Sequence, residues 1–407
     1  MNIIYINTVK DTGSTGRITA ALARITNDHG FHSYIAYGRG ALPSSSREYR
    51  IGNKIDFGRH VLYNFTTGRN GFASHTVTRN FLRWLDDVKP SLIHLHNIHG
   101  FYLHIGLLFD YIKQHNIPVI WTFHDCWPFT GHCAYFDYIQ CDRWVQGCQQ
   151  CSIHRSSYPY SIFKDNSQEN YRRKKETFTG VKNLTIVTPS HWLADHIRTS
   201  FLNEYPVKVI PNGIDLQTFK PDKTLLHQDS DVKNLLGVAN VWDDRKGLPA
   251  FLKLAEILDD SYHITLIGLT RRQQKKIQKK FPQKITPLLR TNNLEELVAI
   301  YNHSSAFINP TLEDNFPTVN LEALACGTPV ITYRTGGSPE SLTSSCGIVV
   351  EKGNIQTLYD AILNLPNSGI TREACRKQAL CYDQETRFQE YMDLYNAILF
   401  PSRNKLP

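Results

Sequence analysis

Short runs of apolar and β-branched residues alternate along this chain with longer segments in which apolar residues recur three and four positions apart. The short runs predict β-strands, the longer segments predict amphipathic α-helices, and their alternation predicts parallel sheets. In the first half the predicted strands are Ile3–Asn7, His32–Tyr37, Leu92–His96, Val119–Phe123, Leu184–Pro189 and Val207–Ile210. In the second half they are Leu235–Val238, Ile264–Gly268, Ile285–Leu289, Ala306–Asn309, Val330–Tyr333 and Ile348–Val350. The helical spacing is clearest in Leu248–Leu258, Leu294–Tyr301 and Val319–Ala325.

The length of the chain, 407 residues, exceeds what one hydrophobic core usually serves, so two α/β domains are expected. A polar stretch, Asp215–Asp231, separates the two sets of strands and is the predicted linker. We predict an N-terminal Rossmann-like domain over residues 1–214 and a C-terminal Rossmann-like domain over residues 215–370, each doubly wound. Residues 371–407 are predicted to form a C-terminal helix that packs back on the first domain.

Charge and hydropathy narrow the class of protein. The 45 basic and 37 acidic residues give a net charge of +8, a modest surplus that suits anionic small molecules or an anionic membrane surface. It is weak evidence for nucleic-acid binding, because the densest basic run, Arg271–Lys280, fits a helix with a solvated face. No run approaches the ~20 apolar residues of a membrane span, and the N-terminus lacks the features of a signal peptide. A cytoplasmic protein is therefore expected.

The segment Asn309–Val330 carries the strongest chemical signal, and is predicted to form a strand, a loop, a helix, a turn and a second strand. Such a loop exposes the free N–H groups at the start of the next helix, where the helix dipole favours a diphosphate. Glu322 would lie about one turn into that helix, where a carboxylate can accept two hydrogen bonds from ribose hydroxyls. Asp314 would lie at the mouth of the loop, within reach of sugar hydroxyls. For either residue alone, a solvated surface carboxylate is the alternative.

This segment resembles the acidic-x7-Glu donor motif of the retaining family-four glycosyltransferases. The resemblance implies the GT-B fold, in which two Rossmann-like domains face a cleft, and a sugar transfer that needs no catalytic cofactor. It assigns Glu322 to the nucleotide ribose and Asp314 to the donor sugar, although the first acidic position is more commonly Glu. Asp-Asn-Phe-Pro resembles the form found in colanic-acid and other exopolysaccharide transferases. The predicted donor site therefore also includes Asn315, Phe316 and Pro317.

Two adjacent cations, Arg245 and Lys246, follow the predicted strand Leu235–Val238. The departure of a nucleoside diphosphate builds negative charge, and fixed cations at that place lower the barrier. Lys246 and Gly247 match the Lys-Gly pair of the family motif, and Lys246 is the predicted catalytic cation. The Arg that usually precedes this pair is Val241 here, and Arg245 is the candidate to replace it. Taken alone, such a pair at the start of a helix is more often solvated than catalytic.

The first domain offers further candidates. Gly13 and Gly16 follow the first strand, where glycines let the backbone approach a ligand closely. Their spacing is shorter than the dinucleotide fingerprint, so NAD binding is not expected. The resemblance places this loop near the donor phosphates and the acceptor. His124 ends the strand Val119–Phe123, and the resemblance implies that it contacts the donor sugar near the reacting carbon, whereas a lone histidine there is more often structural. A second cluster ranks lower because spacing alone defines no metal site: His94, His96 and His99.

A cysteine-rich insert spans residues 126–157. A disulfide framework is not expected in the cytosol, where thiols are kept reduced. A loop of this length without an apolar period buries little to offset its ordering, and four soft ligands with a short Cys-x2-Cys knuckle are typical of tetrahedral zinc sites. One structural zinc ion is therefore predicted on Cys133, Cys141, Cys148 and Cys151. Two residues are substitute ligands, Cys126 and His132. Reduced cysteines packed as small hydrophobes, or a disulfide pair, are the alternatives.

The residues and the resemblance together predict a retaining glycosyltransferase of the hexosyltransferase type. It would move sugar from a UDP- or GDP-sugar to a glycan or lipid-linked acceptor in the synthesis of a surface polysaccharide such as capsule or exopolysaccharide. The acceptor would be held mainly by the first domain, the donor by the second, and the protein would contact the inner face of the membrane peripherally. Nucleic acid is not an expected partner. Two alternatives stay open: another GT-B enzyme, such as a sugar-nucleotide epimerase or a phosphorylase, and a zinc-containing binding protein.

Overall fold

The computed structural model describes residues 1–222 and 232–401, which divide into two compact units. The first unit comprises Met1–Ile210 and the chain from Phe388 onward, and the second comprises Pro211–Arg387. Each unit is built on one parallel β-sheet whose strands alternate along the chain with helices. The boundary predicted after residue 214 falls close to the point at which the chain leaves the first unit.

The first unit contains a seven-stranded parallel sheet. Its strands are β1 (Asn2–Val9), β2 (His32–Arg39), β3 (Glu48–Arg50), β4 (Leu92–Leu95), β5 (Val119–Thr122), β6 (Leu184–Thr188) and β7 (Val207–Val209). Its helices are α1 (Gly13–Asp28), α2 (Lys54–Thr67), α3 (His75–Val88), α4 (Ile105–His115), α5 (Ser167–Phe178) and α6 (His191–Thr199). The strand order is β3-β2-β1-β4-β5-β6-β7. Because the order reverses between β1 and β4, the carboxyl ends of these strands flank the place where open α/β sheets bind ligands.

The second unit contains a six-stranded parallel sheet. Its strands are β8 (Lys233–Val238), β9 (Tyr262–Ile267), β10 (Ile285–Leu288), β11 (Ala306–Asn309), β12 (Val330–Tyr333) and β13 (Gly347–Val350). Its helices are α7 (Leu248–Ile257), α8 (Arg271–Lys280), α9 (Leu294–His303), α10 (Thr318–Ala325), α11 (Ile355–Asn364) and α12 (Arg372–Leu380). The strand order, β10-β9-β8-β11-β12-β13, reverses between β8 and β11. The predicted α/β, doubly wound architecture is confirmed in both units.

Burial explains which strands the sequence revealed. All residues of β4, β5, β11 and β12 are buried, as is usual where a parallel sheet is covered on both faces, and such strands are continuous apolar runs. The edge strand β3 was not predicted. It has three half-buried residues, two of them charged, and therefore carries no apolar pattern.

The described part of the predicted linker packs into the second unit. Ile214, Leu216 and Phe219 are buried in the hydrophobic core of the second unit, and the backbone of Ile214 pairs with the chain at Tyr382 and Gln384. Residues 215–222 are therefore part of the second unit, which corrects their prediction as a linker. The rest of the predicted linker, residues 223–231, lies outside the described residues, as do residues 402–407.

The C-terminal region forms two helices rather than one. The helix α12 buries Cys375 and Ala379 in the core of the second unit, so residues 371–387 do not belong to a separate C-terminal element. The last helix, α13 (Gln384–Leu399), passes from the second unit to the first. Its apolar and tyrosine side chains join a first-unit core that includes Ile3 and Tyr5. The hydroxyl of Tyr395 lies 2.6 Å from Nδ1 of His94 and 3.0 Å from the hydroxyl of Tyr5.

Candidate active site

The loops that follow β8 and β11 meet at the carboxyl edge of the second sheet, where the strand order reverses. Residues 239–247 lead from β8 into α7, and residues 310–317 lead from β11 into α10. Ligands of open α/β sheets bind at such a reversal. Most of the site residues predicted in the second half of the sequence lie on these two loops.

Backbone contacts join the two loops. Leu312 N donates to the carbonyl of Arg245 at 2.7 Å. In return, Arg245 Nη1 donates to the carbonyl of Glu313 at 2.7 Å. Gly247 has a φ of +80°, and a Cβ there would lie 2.1 Å from the carbonyl oxygen of Pro310, so the close approach requires glycine. Arg245 thus connects the two loops through its backbone and its side chain. Its contact with a phosphate stays a prediction.

Lys246 and Asp314, one on each loop, form an ion pair between Nζ and Oδ2. Their side chains are 24% and 16% exposed, so the pair is partly shielded from water. The backbone of Asp314 is fixed by a glycine pair: a Cβ on Gly336 would lie 1.8 Å from its carbonyl oxygen, to which Gly337 N donates at 3.1 Å. The structure therefore brings together the predicted cation and the predicted sugar-binding carboxylate. Gly336 was not predicted as a site residue, although two glycines shortly after a strand were an available signal.

Glu322 is the fifth residue of α10 and is 6% exposed. Its Oε2 accepts a hydrogen bond of 2.9 Å from the hydroxyl of Tyr301, at the end of α9. This contact orients the carboxylate. Tyr301 was not predicted as a site residue, because it occupies an apolar position in the helical period of α9 and looks like a core residue in the sequence.

A buried polar network anchors α10 next to the loop. Asn309 Nδ2 donates to Asn320 Oδ1 at 2.8 Å, and Asn320 Nδ2 donates to Ser338 Oγ at 3.0 Å. These three residues are at most 7% exposed. Because a buried amide with satisfied hydrogen bonds specifies one orientation, this network fixes the position of α10 relative to β11.

The three residues between Asp314 and α10 are buried: Asn315, Phe316 and Pro317. The ring of Phe316 packs against Tyr382 with centroids 5.7 Å apart, and its carbonyl accepts a 3.0 Å hydrogen bond from Asn212 Nδ2. The ring therefore belongs to the core of the second unit and sets the path of the loop. Contact between these residues and a donor stays a prediction.

In the first unit, residues 10–12 connect β1 to α1, so that Gly13 and Gly16 lie in the first turn of the helix and not in a loop as predicted. Gly13 is exposed, has a φ of +65° and has nothing within 4 Å of an added Cβ. By contrast, a Cβ on Gly16 would lie 3.2 Å from both Asp11 N and Val9 Cγ2, so Gly16 lets the helix start close to the strand. The start of α1 is thus open at Gly13 and tightly packed at Gly16.

His124 follows β5 and is partly exposed. Its Nε2 lies 3.0 Å from Nδ1 of His96, which follows the neighbouring strand β4, and the two rings are 13° from parallel. Burial lowers the pKa of His124 to about 4, although the charge of Asp125 opposes the shift. His124 is therefore neutral near pH 7. His96 was not among the predicted site residues, although its place at the end of an adjacent parallel strand puts it beside His124.

The histidine pair indicates which nitrogen carries the proton. Within the described residues, Nε2 of His96 is buried without a hydrogen-bond partner, and burial holds the pKa of His96 well below its ordinary value. A buried lone pair is tolerated better than a buried N–H that has no acceptor. The proton of His96 therefore belongs on Nδ1 and is donated to Nε2 of His124. This leaves the proton of His124 on its own Nδ1.

Asp125 orients the start of the cysteine-rich segment. Its Oδ2 lies 2.9 Å from His99 Nε2, and its Oδ1 accepts a 3.0 Å hydrogen bond from Trp127 N. Burial alone would raise the pKa of Asp125, but the charge of His99 and these hydrogen bonds hold it below its ordinary value. Each carboxylate oxygen of Asp125 thus has a hydrogen-bond partner within the first unit.

The predicted zinc ligands lie between β5 and α5. Cys133 and Cys148 are buried in the core of the first unit, while Cys141 and Cys151 pack at its margin, and none of the four is in a disulfide. Within residues 1–222 and 232–401, no three His, Cys, Asp or Glu side chains are arranged to hold a metal ion. Zinc binding stays a prediction for metal analysis.

A buried lysine that the sequence analysis missed helps to order this segment. Lys174 of α5 is fully buried, and its Nζ donates to the carbonyls of Trp127 (2.8 Å) and Thr130 (3.0 Å). Burial lowers the pKa of Lys174 well below its ordinary value. These contacts hold the start of the segment against α5.

The densest basic run forms α8, as predicted. A capping box between Thr270 and Gln273 starts this helix, and Ile277 is its buried residue. The lysines and arginines lie outside the core, which confirms the interpretation of this run as a solvated helix face.

Two family models match the chain. The model of Glycosyltransferase Family 4 matches residues 15–218, half of the chain, and the model of Glycosyl transferases group 1 matches residues 226–380. The first matched region covers most of the first unit and extends to residue 218 in the second, and the other matched region falls on the second unit.

Curated relatives match over widely different lengths. The chain is 23% identical over 435 residues to WcaC of Escherichia coli (strain K12), named as a colanic acid biosynthesis glycosyl transferase, and the match covers 97% of this chain and 99% of that protein. It is 25% identical over 197 residues to the O-antigen chain mannosyltransferase RfbU of Salmonella typhimurium, covering 45% of this chain and 54% of that one.

Solved structures share the fold over nearly the whole chain. Sucrose-phosphate synthase from Thermosynechococcus elongatus superposes with a TM-score of 0.75 at 16% identity, covering 98% of this chain and 100% of that chain. HepE of Anabaena in complex with UDP-glucose gives 0.65 at 13% identity, with the same coverage. At such low identities the likeness concerns the fold, and the predicted GT-B fold is confirmed.

Proposed function

The chain belongs to glycosyltransferase family 4 and is a glycosyltransferase that uses a nucleotide-sugar donor, and on this premise we propose that Lys246, Asp314 and Glu322 form its donor site. The observation that carries the proposal is the pairing of Lys246 with Asp314 on the loops that follow β8 and β11. The donor is a UDP- or GDP-sugar, and the acceptor is a glycan or a lipid-linked glycan.

Glu322 binds the ribose of the nucleotide in this proposal. A carboxylate can accept hydrogen bonds from both vicinal hydroxyls, and such bonds to a charged acceptor are stronger than neutral ones. The support is its place one turn into α10 and the hydrogen bond from Tyr301, which holds the carboxylate in one orientation before a donor binds. A preoriented group loses less entropy on binding.

Lys246 and the start of α10 bind the diphosphate. The first N–H groups of a helix lack intrahelical partners and carry the positive end of its dipole, and Thr318 and Val319 at this end are partly exposed. During transfer, the bond between the anomeric carbon and the diphosphate oxygen breaks, and a bond to the acceptor oxygen forms. The negative charge that collects on the leaving oxygen is stabilised by Lys246 Nζ.

Asp314 binds hydroxyls of the donor sugar once Lys246 has turned to the phosphates. We propose that His124 also acts on the sugar. Its neutral imidazole carries the proton on Nδ1 and can donate it to a hydroxyl. Transfer proceeds with retention of the anomeric configuration, and the acceptor is bound by the first unit, where the exposed Gly13 leaves the start of α1 open.

The pathway is proposed to be surface polysaccharide synthesis, such as capsule or exopolysaccharide. Support comes from relatives named for colanic acid and O-antigen chains. None of the helices in the described ranges has the length and apolar character to cross a membrane. A lipid-linked acceptor would therefore be met through peripheral contact with the inner face of the membrane.

A donor panel tests the proposal. Purified protein is mixed with UDP-, GDP- and ADP-sugars, and the ligand that raises the melting temperature identifies the donor. Products are then analysed with and without glycan acceptors, and the anomeric configuration of the product is read by NMR. Acceptor-dependent transfer with retention is expected. Conversion of the donor without acceptor, as by an epimerase, or phosphorolysis of a glycan would overturn the proposal.

A further inference from the structure

Five large apolar side chains of the first unit are exposed on two adjacent segments. Ile55 and Leu62 of α2 are 66% and 64% exposed. On the segment 159–166 the exposed residues are Tyr160 (45%), Ile162 (47%) and Phe163 (70%). Contiguous apolar surface of this kind on a folded protein usually marks a site of interaction. We call these five residues, with the basic residues among them, the α2 surface.

Hydrogen bonds hold the two segments side by side. Ile162 N donates to the carbonyl of Phe65 at 3.2 Å, and Asn64 Nδ2 donates to the carbonyl of Tyr160 at 2.6 Å. Further along, Asn166 Nδ2 donates to the carbonyl of Thr67 at 3.3 Å. The segment that carries these exposed apolar residues therefore lies against the C-terminal half of α2.

The fully buried residues of α2 are polar and its exposed residues include large apolar ones, the reverse of an ordinary surface helix. Its fully buried residues are polar, His60 and Asn64, and His60 Nδ1 lies 2.8 Å from Ser74 Oγ. Its outer face carries Ile55 and Leu62, seven positions apart and hence on one stripe about 10 Å long. The capping box of Asn53 and the left-handed Gly68 fix both ends of the helix. A rigid helix thus keeps apolar side chains in water.

The charges around this stripe are predominantly basic. Lys54, Arg59, Arg69 and Lys164 are exposed, and none of them forms an ion pair with another residue in the described ranges. The nearby acidic side chains already form hydrogen bonds or an ion pair with neighbouring groups. Asp56 accepts from Asn53 N (3.0 Å), Asp165 accepts from Ser167 N (2.9 Å) and from Cys151 N (2.6 Å), and Glu169 pairs with Arg172 (2.8 Å).

We propose that the α2 surface docks on the anionic surface of a lipid bilayer. Apolar side chains inserted at the headgroup boundary and lysines or arginines beside them are the combination that binds anionic lipid interfaces. The four unpaired cations favour this partner over a neutral apolar surface. The inference deepens the membrane contact of the proposed function and rests on it for its purpose, because a lipid-linked acceptor lies at such a surface.

Flotation with lipid vesicles tests this docking. Full-length protein is mixed with vesicles of phosphatidylcholine alone, or with about one third phosphatidylglycerol. Two double variants address the surface, Leu62→Ser with Phe163→Ser, and Arg59→Glu with Lys164→Glu. The matched control, Leu42→Ser with Leu380→Ser, changes two leucines that are 73% and 54% exposed outside the surface. All substituted side chains are exposed, so the fold should survive.

We expect the wild type and the control to bind the anionic vesicles at least about tenfold more tightly than either surface variant. Binding should also weaken in about 1 M salt, where the Debye length is about 3 Å. Equal binding by the wild type and the surface variants, or no binding by the wild type, would overturn the docking. So would a change of oligomeric state in the surface variants without a change in vesicle binding, because the surface would then bind a second copy of the chain. Sugar transfer to a soluble acceptor is measured in parallel, so a failure of the proposed function is seen separately.

Discussion

Replacing Asp314 by Asn should separate nucleotide binding from sugar transfer. The Asp314 carboxylate pairs with Lys246 Nζ, the cation assigned to the diphosphate. A donor must therefore draw Lys246 away from Asp314 when its phosphates bind. The Asp314→Asn variant removes that competition, and it also removes a negative charge close to the phosphates.

The size of the effect follows from the partial shielding of the pair. Side chains that are 24% and 16% exposed form an ion pair worth about 1 kcal/mol, the upper end of the range for exposed pairs. The affinity for the nucleoside diphosphate should therefore rise by about fivefold. Transfer should fall by at least about tenfold, because the charged acceptor of the sugar hydroxyl becomes a neutral amide, whose hydrogen bond is weaker.

Calorimetry with the nucleoside diphosphate and initial transfer rates provide the assay. Asp244→Asn is the matched control: it makes the same charge change on an exposed residue of the loop that carries Lys246, and neither measurement should move. A fall in diphosphate affinity in Asp314→Asn, parallel to the fall in transfer, would refute the reasoning. Asp314 would then support the nucleotide or the loop itself.

Three further predictions address the first unit. His124→Ala should lower turnover by at least about tenfold while the donor affinity changes by less than about twofold, because His124 is assigned to the sugar; equal loss of both in calorimetry and rate assays would make it a structural residue. Burial lowers the pKa of both His60 and His94 to about 3, so below pH 6.5 the unfolded chain binds protons that the folded chain does not. The free energy of unfolding in urea should fall by about 2 kcal/mol per histidine between pH 6.5 and about pH 5, and His94→Gln should reduce that fall. We propose that elemental analysis will find about one zinc ion per chain on the insert cysteines; less than about 0.2 zinc, with four titratable thiols, would remove the site.

The sequence predicted the central strands and the donor loops because their signals are local. A strand buried on both faces must be apolar throughout, as β11 and β12 are, and a loop between a strand and a helix shows in the change of period. The same reasoning fails where burial is partial. The edge strand β3 is short and charged, and the break between α12 and α13 occurs in a sequence that is compatible with a continuous helix.

Contacts between distant residues could not be predicted in the same way. Lys246 and Asp314 are 68 positions apart, and His96 and His124 are 28 apart. Each pair meets because its two strands are neighbours in a parallel sheet, and that follows from the strand order, not from any local pattern. The same holds for Tyr301, whose hydroxyl reaches Glu322 from a helix that looks entirely structural in the sequence.

The central claim, that the second unit binds the nucleotide through Glu322, is tested most directly by calorimetry of the nucleoside diphosphate with wild type and Glu322→Ala. The account predicts a loss of affinity of at least about tenfold in a variant that keeps the wild-type melting temperature to within a few degrees. Tyr301→Phe, which removes only the hydroxyl that orients the carboxylate, should give a smaller loss. An affinity of Glu322→Ala within about twofold of the wild type would contradict the account.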